Sequence, residues 1–389
     1  MINHIKKIHF ENYHNSSEKV YFSPGRVNII GGHTDYNGGH VLPFCIDKGI
    51  YCGVSKNGLS SIRIFSENFF HAGIIEIDLN NLSYTLTDTF SDYLLGVIKE
   101  LTNMEKELLY GLDISLSSNL PVGGGLSSSA ALSVLLFKIF SVEFNFGLEK
   151  ERIAHLAKTV ENSFIGVNCG IMDQFIISVG KAQHALFLNT KNMNYEYIYL
   201  DMKDHMFILI NSNIKRKLTE SKYNVRQSET REVLKILKEN FEIDHLCDIS
   251  AEDLNVYLEF IHDKTLQKRL IHVVTENLRV IETKEAFQKN DFIKIGQLLF
   301  QAHESAKNNY CISSEILDDL VEIAISSKAL GAKMIGGGFG GSILALIRKD
   351  NYEHFIDIFG QKYQEKYSSK FIYSIIEAKD GVKQIDWFS

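Results

Sequence analysis

Apolar positions in the first half of the chain follow two patterns. Residues 19–22, 61–65 and 112–116 are short runs of the kind found in strands. Leu132, Leu135, Leu136, Ile139 and Phe140 instead recur at i, i+3, i+4, i+7 and i+8, one apolar face of a helix. Ile153, Leu156, Ala157 and Val160 repeat that spacing in a second helix, with Glu161 just off the stripe. The continuous run at 207–210 predicts a buried strand. From about residue 215 to 329 the pattern is mainly helical and highly charged. A glycine-rich loop then leads into a strand over 343–347, a helix, and a last strand near 371–376. No repeat, low-complexity tract or flexible linker interrupts this order, and the three prolines punctuate glycine-containing loops. The expectation is two α+β domains, residues 1–195 and 196–389, with an intimate interface.

A chain of 389 residues can bury a large core. Its net charge of -7, from 41 basic and 48 acidic residues, argues against a nucleic-acid surface. It does not argue against a phosphate ligand, because backbone N–H groups alone can build such a site. The five cysteines are odd in number and scattered, with no CxxC pair, so neither a disulfide framework nor a zinc site is expected. The N-terminal stretch lacks the apolar core of a secretory signal, and no run approaches the roughly 18 apolar residues of a membrane span. A reducing, cytoplasmic setting is expected, with no nucleic-acid and no membrane partner.

Three loops carry candidate chemistry. PVGGGLSSSAA, residues 121–131, lies between a strand-like run and an amphipathic helix. Gly123, Gly124 and Gly125 let the backbone approach a ligand. Leu126 follows, and Ser127, Ser128 and Ser129 add hydroxyls at a helix N-terminus, which favours anions. The same pattern also fits a strand–helix turn capped by serine. It is neither the GK[ST] phosphate loop nor GxGxxG. GRVNIIGGHTDYNGG, residues 25–39, places His33, Thr34, Asp35 and Tyr36 after an apolar stretch, with Arg26 as a fixed positive charge. Such a group suits a polyhydroxyl ligand, and equally a polar surface turn. GAKMIGGGFGG, residues 331–341, has five glycines in its last six positions, implying close approach to a ligand or to the opposing domain. Between these loops lie Glu161 and the CGIMDQ segment, whose Asp173, an Asp followed by Gln, reads as a cap or turn residue.

Together the segments resemble the GHMP kinases, and within them the galactokinases. GRVNIIGGHTDYNGG is similar to the galactokinase signature, PVGGGLSSSAA to the superfamily ATP loop, and GGGFGGS to its third motif. VNCGIMDQF, SKYNVR (221–226) and HESAKNNYCIS (303–313) are similar to further galactokinase segments. The resemblance runs from about Val20 onward. It implies an N-terminal domain like the second domain of ribosomal protein S5, a ferredoxin-like C-terminal domain, and an active site between them. It implies ATP and Mg²⁺ as co-substrate and metal, and galactose as acceptor at its anomeric hydroxyl, the entry step of galactose catabolism. The 123–129 loop would cradle ATP phosphates, Ser129 and Glu161 would hold Mg²⁺, and Ser66 in IFSENF would add a nucleotide contact. Gly32, His33, Thr34, Asp35, Gly170 and Tyr223 would line the sugar site. Asp173 would be the base, kept ionised by Arg26, which would also face the transferred phosphoryl group.

One position departs from the family pattern. Where galactokinases usually carry an acid before the HTDY sequence, this chain has Gly32. Losing a charged acceptor costs about 1–3 kcal/mol of binding unless His40, another side chain or a water replaces it. The other readings are a kinase for a related sugar such as N-acetylgalactosamine, or a non-catalytic sugar sensor. The presence of residues 127–131 of the phosphate loop, Glu161, Asp173 and Arg26 argues against the sensor.

Overall fold

The computed structural model describes residues 1–121, 123–213 and 219–385. Val122 of the candidate ATP loop, residues 214–218 at the expected start of the helical half, residues 386–389, and the side chains of residues 219–221 lie outside the described residues. The strands are β1 (Lys19–Asn28), β2 (His40–Val41), β3 (Pro43–Lys56), β4 (Ser61–Ser66), β5 (Ile75–Asp78), β6 (Leu112–Ser118), β7 (His184–Asn189), β8 (Tyr195–Tyr199), β9 (His205–Asn211), β10 (Gly331–Met334), β11 (Ser342–Arg348), β12 (Ile372–Ile376) and β13 (Lys383–Ile385). They form a six-stranded sheet ordered β13-β1-β3-β6-β4-β5, a four-stranded sheet ordered β10-β11-β9-β12, and a three-stranded sheet ordered β2-β7-β8. The neighbours are antiparallel except β4 and β6.

Five helices accompany the first half: α1 (Ile2–Tyr13), α2 (Ser91–Asn103), α3 (Ser128–Glu143), α4 (Lys150–Thr159) and α5 (Met172–Val179). Six follow: α6 (Thr219–Lys238), α7 (Leu254–Leu258), α8 (Lys264–Gln288), α9 (Phe292–Ser305), α10 (Glu315–Ser326) and α11 (Tyr352–Tyr367). Among the described residues no helix is long and apolar enough to cross a membrane.

The four-stranded sheet explains why its central strands read as unbroken apolar runs. Phe207 and Leu209 of β9, with Leu344 and Leu346 of β11, join the core of the first half. Their neighbours Ile208, Ile210, Ile343, Ala345 and Ile347 face the second core, built with α6, α8, α10 and α11. Side chains alternate across a strand, so a sheet between two cores must be apolar on both faces.

α3 differs from the amphipathic helix expected. Val134 and Phe137 are as buried as Leu135 and Leu136, because the helix is enclosed on nearly every side. The chain passes from the first-half sheets to the central sheet between β8 and β9, and β13 returns to pair with β1. Residues beyond 195 therefore contribute to both layers, and the division there stands as our proposal for the two units.

Candidate active site

The first half and the α8–β11 region meet around a cavity of about 310 Å³, within the usual range for small-molecule sites of about 300–1,000 Å³. At one end is the start of α3. Ser127 occupies its N-cap position in a left-handed conformation, φ 61° and ψ 50°, and makes no capping bond. Its hydroxyl donates instead to Oδ2 of Asp173. The first turn thus has no side-chain cap and no acidic residue, leaving its amides and the helix dipole for an anion. Gly123 and Gly125 hold φ of 70° and 76°, the left-handed region that favours glycine. From the central sheet Ser342 donates to the Gly124 carbonyl at 3.0 Å, so the second half of the chain fixes the loop of the first.

Arg26 follows a register shift in the β1–β3 pairing between Pro24 and Arg26, an irregularity that re-aims a side chain. Its Nε and Nη2 donate to Oδ1 and Oδ2 of Asp173, both at 2.6 Å, and Nη1 donates to the Gly125 carbonyl at 2.7 Å. Asp173, Arg26 and the loop are therefore one hydrogen-bonded unit. Asp173 lies in the first turn of α5, where the helix dipole favours a carboxylate.

Two more carboxyl groups stand beside this unit. Burial, and then the charge of Asp173, pushes Asp35 up to about 6 and Glu161 up to about 7. Glu161 sits in a π-helical turn, Val160–Ile165, beside Ser129, Gln174 and Cys169, and its Oε1 is buried with no partner. A π-helical turn is an irregularity frequent at functional sites. A divalent cation fits here: it would satisfy the orphaned oxygen and relieve the carboxylate repulsion. Among the described residues no three His, Cys, Asp or Glu side chains gather to cage a metal.

The other end of the cavity is lined by rings and backbone. His33 Nδ1 bonds the Tyr36 hydroxyl at 2.7 Å, and Tyr36 bonds the Tyr310 hydroxyl at 2.9 Å. His33 Nε2 is buried without a hydrogen-bond partner, and burial lowers the pKa of the ring to about 3, so the imidazole is neutral. Tyr223 on α6 packs on His33 with ring centroids 5.1 Å apart. A Cβ on Gly337 of the third loop would come within 3.2 Å of the Tyr223 ring, so that loop serves both the cavity and the packing around it.

Of the residues expected at the site, Arg26, Gly32, His33, Asp35, residues 123–129, Glu161, Gly170, Asp173 and Tyr223 all line the cavity. Thr34 and Ser66 do not. The Thr34 hydroxyl ties its own loop, donating to the carbonyls of Gly31 and His40 at 3.1 and 2.7 Å. Ser66 is buried at the end of β4. His40 is also elsewhere, with Nδ1 3.0 Å from Asn277 Oδ1 and its ring stacked on Phe187. Among the lining residues given no role in the sequence analysis are the ionisable His272, Glu276 and Lys333, the last of them inside the third loop. His272 and Glu276 are one helical turn apart on α8 and nearly fully buried. Polar residues at apolar-face spacing were the only signal for them.

Residues 92–181 match the GHMP kinases N terminal domain and residues 283–365 the GHMP kinases C terminal domain. Fold and site together define a two-domain GHMP kinase. Residues 8–56 match the galactokinase galactose-binding signature. The chain is 37% identical to galactokinase of Bacillus subtilis over 368 residues, covering 94% of each chain. It is 38% identical over 365 residues to galactokinase of Clostridium perfringens, again covering 94% of each. The crystal structure of Lactococcus lactis galactokinase complexed with galactose aligns with a TM-score of 0.95 at 34% identity, over 99% of this chain and 100% of that one. The chain belongs to the galactokinase family.

Proposed function

We propose that this chain transfers the γ-phosphoryl group of ATP to the anomeric hydroxyl of galactose, giving galactose 1-phosphate and ADP. The observation that carries the reading is the Arg26–Asp173 pair, hydrogen-bonded through Ser127 to an uncapped helix N-terminus. The loop amides hold the triphosphate. Arg26, fixed by Asp173 and the Gly125 carbonyl, faces the charge that develops on the transferred group. Arg26 and Ser127 occupy three of the roughly four lone-pair sites of Asp173, leaving one for the sugar hydroxyl. As the new O–P bond forms, that hydroxyl's proton passes to Asp173, and the electron pair of the breaking P–O bond stays on ADP. Asp35 and the free nitrogen of His33 orient the sugar. Mg²⁺, held by Glu161 and Ser129, would neutralise phosphate charge.

The direct test is ATP turnover with galactose, with N-acetylgalactosamine and without sugar, over a Mg²⁺ titration. Galactose-dependent ADP release with galactose 1-phosphate as product is expected. Turnover that ignores galactose would sink the proposal.

The sugar-side placement has its own test. A Cβ on Gly170 would fall 1.8 Å from Oδ2 of Asp35. Gly170→Ala should displace that carboxylate and raise KM for galactose by about 10-fold or more, with KM for ATP little changed. An unaltered galactose KM would take Asp35 out of the sugar site.

A further inference from the structure

Gly32 is held by α8 at both ends of its peptide unit. Its amide donates to Oε1 of Glu276 at 3.1 Å, beside the Gly31 amide at 2.9 Å, and its carbonyl meets Nε2 of His272 at 3.0 Å. A Cβ on Gly32 would meet nothing within 4 Å, so the space in front of it belongs to the cavity. Glu276, which holds the Gly32 amide, also lines the cavity although its residue is only 1% exposed. Oε1 accepts the two amides and Oε2 accepts Arg279 Nε at 2.7 Å, which leaves about one lone-pair site unfilled.

We infer that Glu276 is a specificity-determining residue, the charged acceptor for the substrate hydroxyl farthest from the reacting carbon, reached across the gap that Gly32 leaves. The inference rests on the sugar kinase reading above. Asp173 fixes the reacting end, and Gly32, Glu276 and His272 close the other. His40 cannot act in this place, being held by Asn277 away from the cavity. Burial opposes the charge of Glu276, but Arg279 above all holds its pKa down at about 2, so it is ionised throughout the working range. The neighbouring His272 is neutral, its pKa lowered to about 4 by burial, and both of its ring nitrogens are already engaged, by Gly32 and by Ser305. An ionised carboxylate with a free lone pair discriminates strongly, because an analogue lacking the hydroxyl leaves it unpaired.

The test compares kcat/KM for galactose and 6-deoxygalactose in the natural enzyme and two variants. The natural enzyme should favour galactose by about 10–10²-fold. Glu276→Gln should bring that ratio towards one, with the loss in KM for galactose far exceeding any loss in kcat. Because Glu276 also holds two amides and Arg279, this variant is paired with Gly32→Leu. That substitution leaves Glu276 intact and fills the gap before it, at a residue whose backbone is outside the left-handed region. It too should collapse the ratio. A natural ratio near one, or a ratio unchanged in Gly32→Leu, overturns the role of Glu276 while galactose kinase activity persists. Absence of galactose phosphorylation by the natural enzyme would instead overturn the functional reading itself.

Discussion

Asp173→Asn should keep the fold and nucleotide binding but lower turnover by about 10²-fold or more. General-base assistance contributes about 10²–10⁴-fold, and an amide cannot accept the proton. The substitution is close to isosteric. Its amide oxygen can still accept from Arg26, and the pair is not sealed from water, since the Asp173 side chain is 26% exposed. Asp35 and Glu161 remain as neighbouring carboxylates for the Arg26 charge. A second readout separates a lost base from a disturbed site. Asp173 is a stated cause of the raised pKa of both Asp35 and Glu161, so removing its charge should move both downwards. Ionisation of the two groups, followed by NMR titration, should then occur at lower pH than in the natural protein. Near-normal turnover in pure, folded Asp173→Asn would remove Asp173 from its role. Lost turnover without the downward shifts would indicate a rearranged site rather than a missing base.

The three glycine-bearing loops were legible because their chemistry is local. Gly123, Gly125 and the three serines act where the chain places them, at one strand–helix junction. What that spelling leaves open is which hydroxyl caps the helix. Ser127 is drawn away to Asp173, a partner 46 residues distant. The pattern of apolar residues located β9 and β11 as strands but not what covers them, because the second core is built with α6, α8, α10 and α11, drawn from separate and distant stretches of the chain. The same distance hid the α8 part of the site. His272, Glu276 and Arg279 look like ordinary members of a charged helix until it is laid against Gly31 and Gly32, some 245 residues earlier. Thr34 illustrates the converse: a polar side chain inside a functional loop whose hydrogen bonds serve the loop's own shape.

Glu161→Gln should make the ligand-free protein more stable at alkaline pH while raising its Mg²⁺ requirement at least about tenfold. The two effects share one cause. Glu161 is 5% exposed, and burial together with Asp173 raises its pKa from 4.5 to about 7. Between those values the native protein keeps a proton that the unfolded chain has released. The native state binds more protons there, so stability falls as pH rises through that window, and above pH 7 the full cost is present. That cost is on the order of 3 kcal/mol. Glutamine cannot ionise and escapes it. The variant should therefore match the natural protein below about pH 4.5 and exceed it by several degrees in Tm at pH 8, both without ligand. With Mg²⁺ and ATP the order should reverse. A cation favours the ionised carboxylate, and the natural protein alone has one to offer beside Ser129. Parallel Tm–pH curves for the two proteins would mean that the Glu161 carboxylate ionises without penalty. Its orphaned oxygen would then not be awaiting a cation.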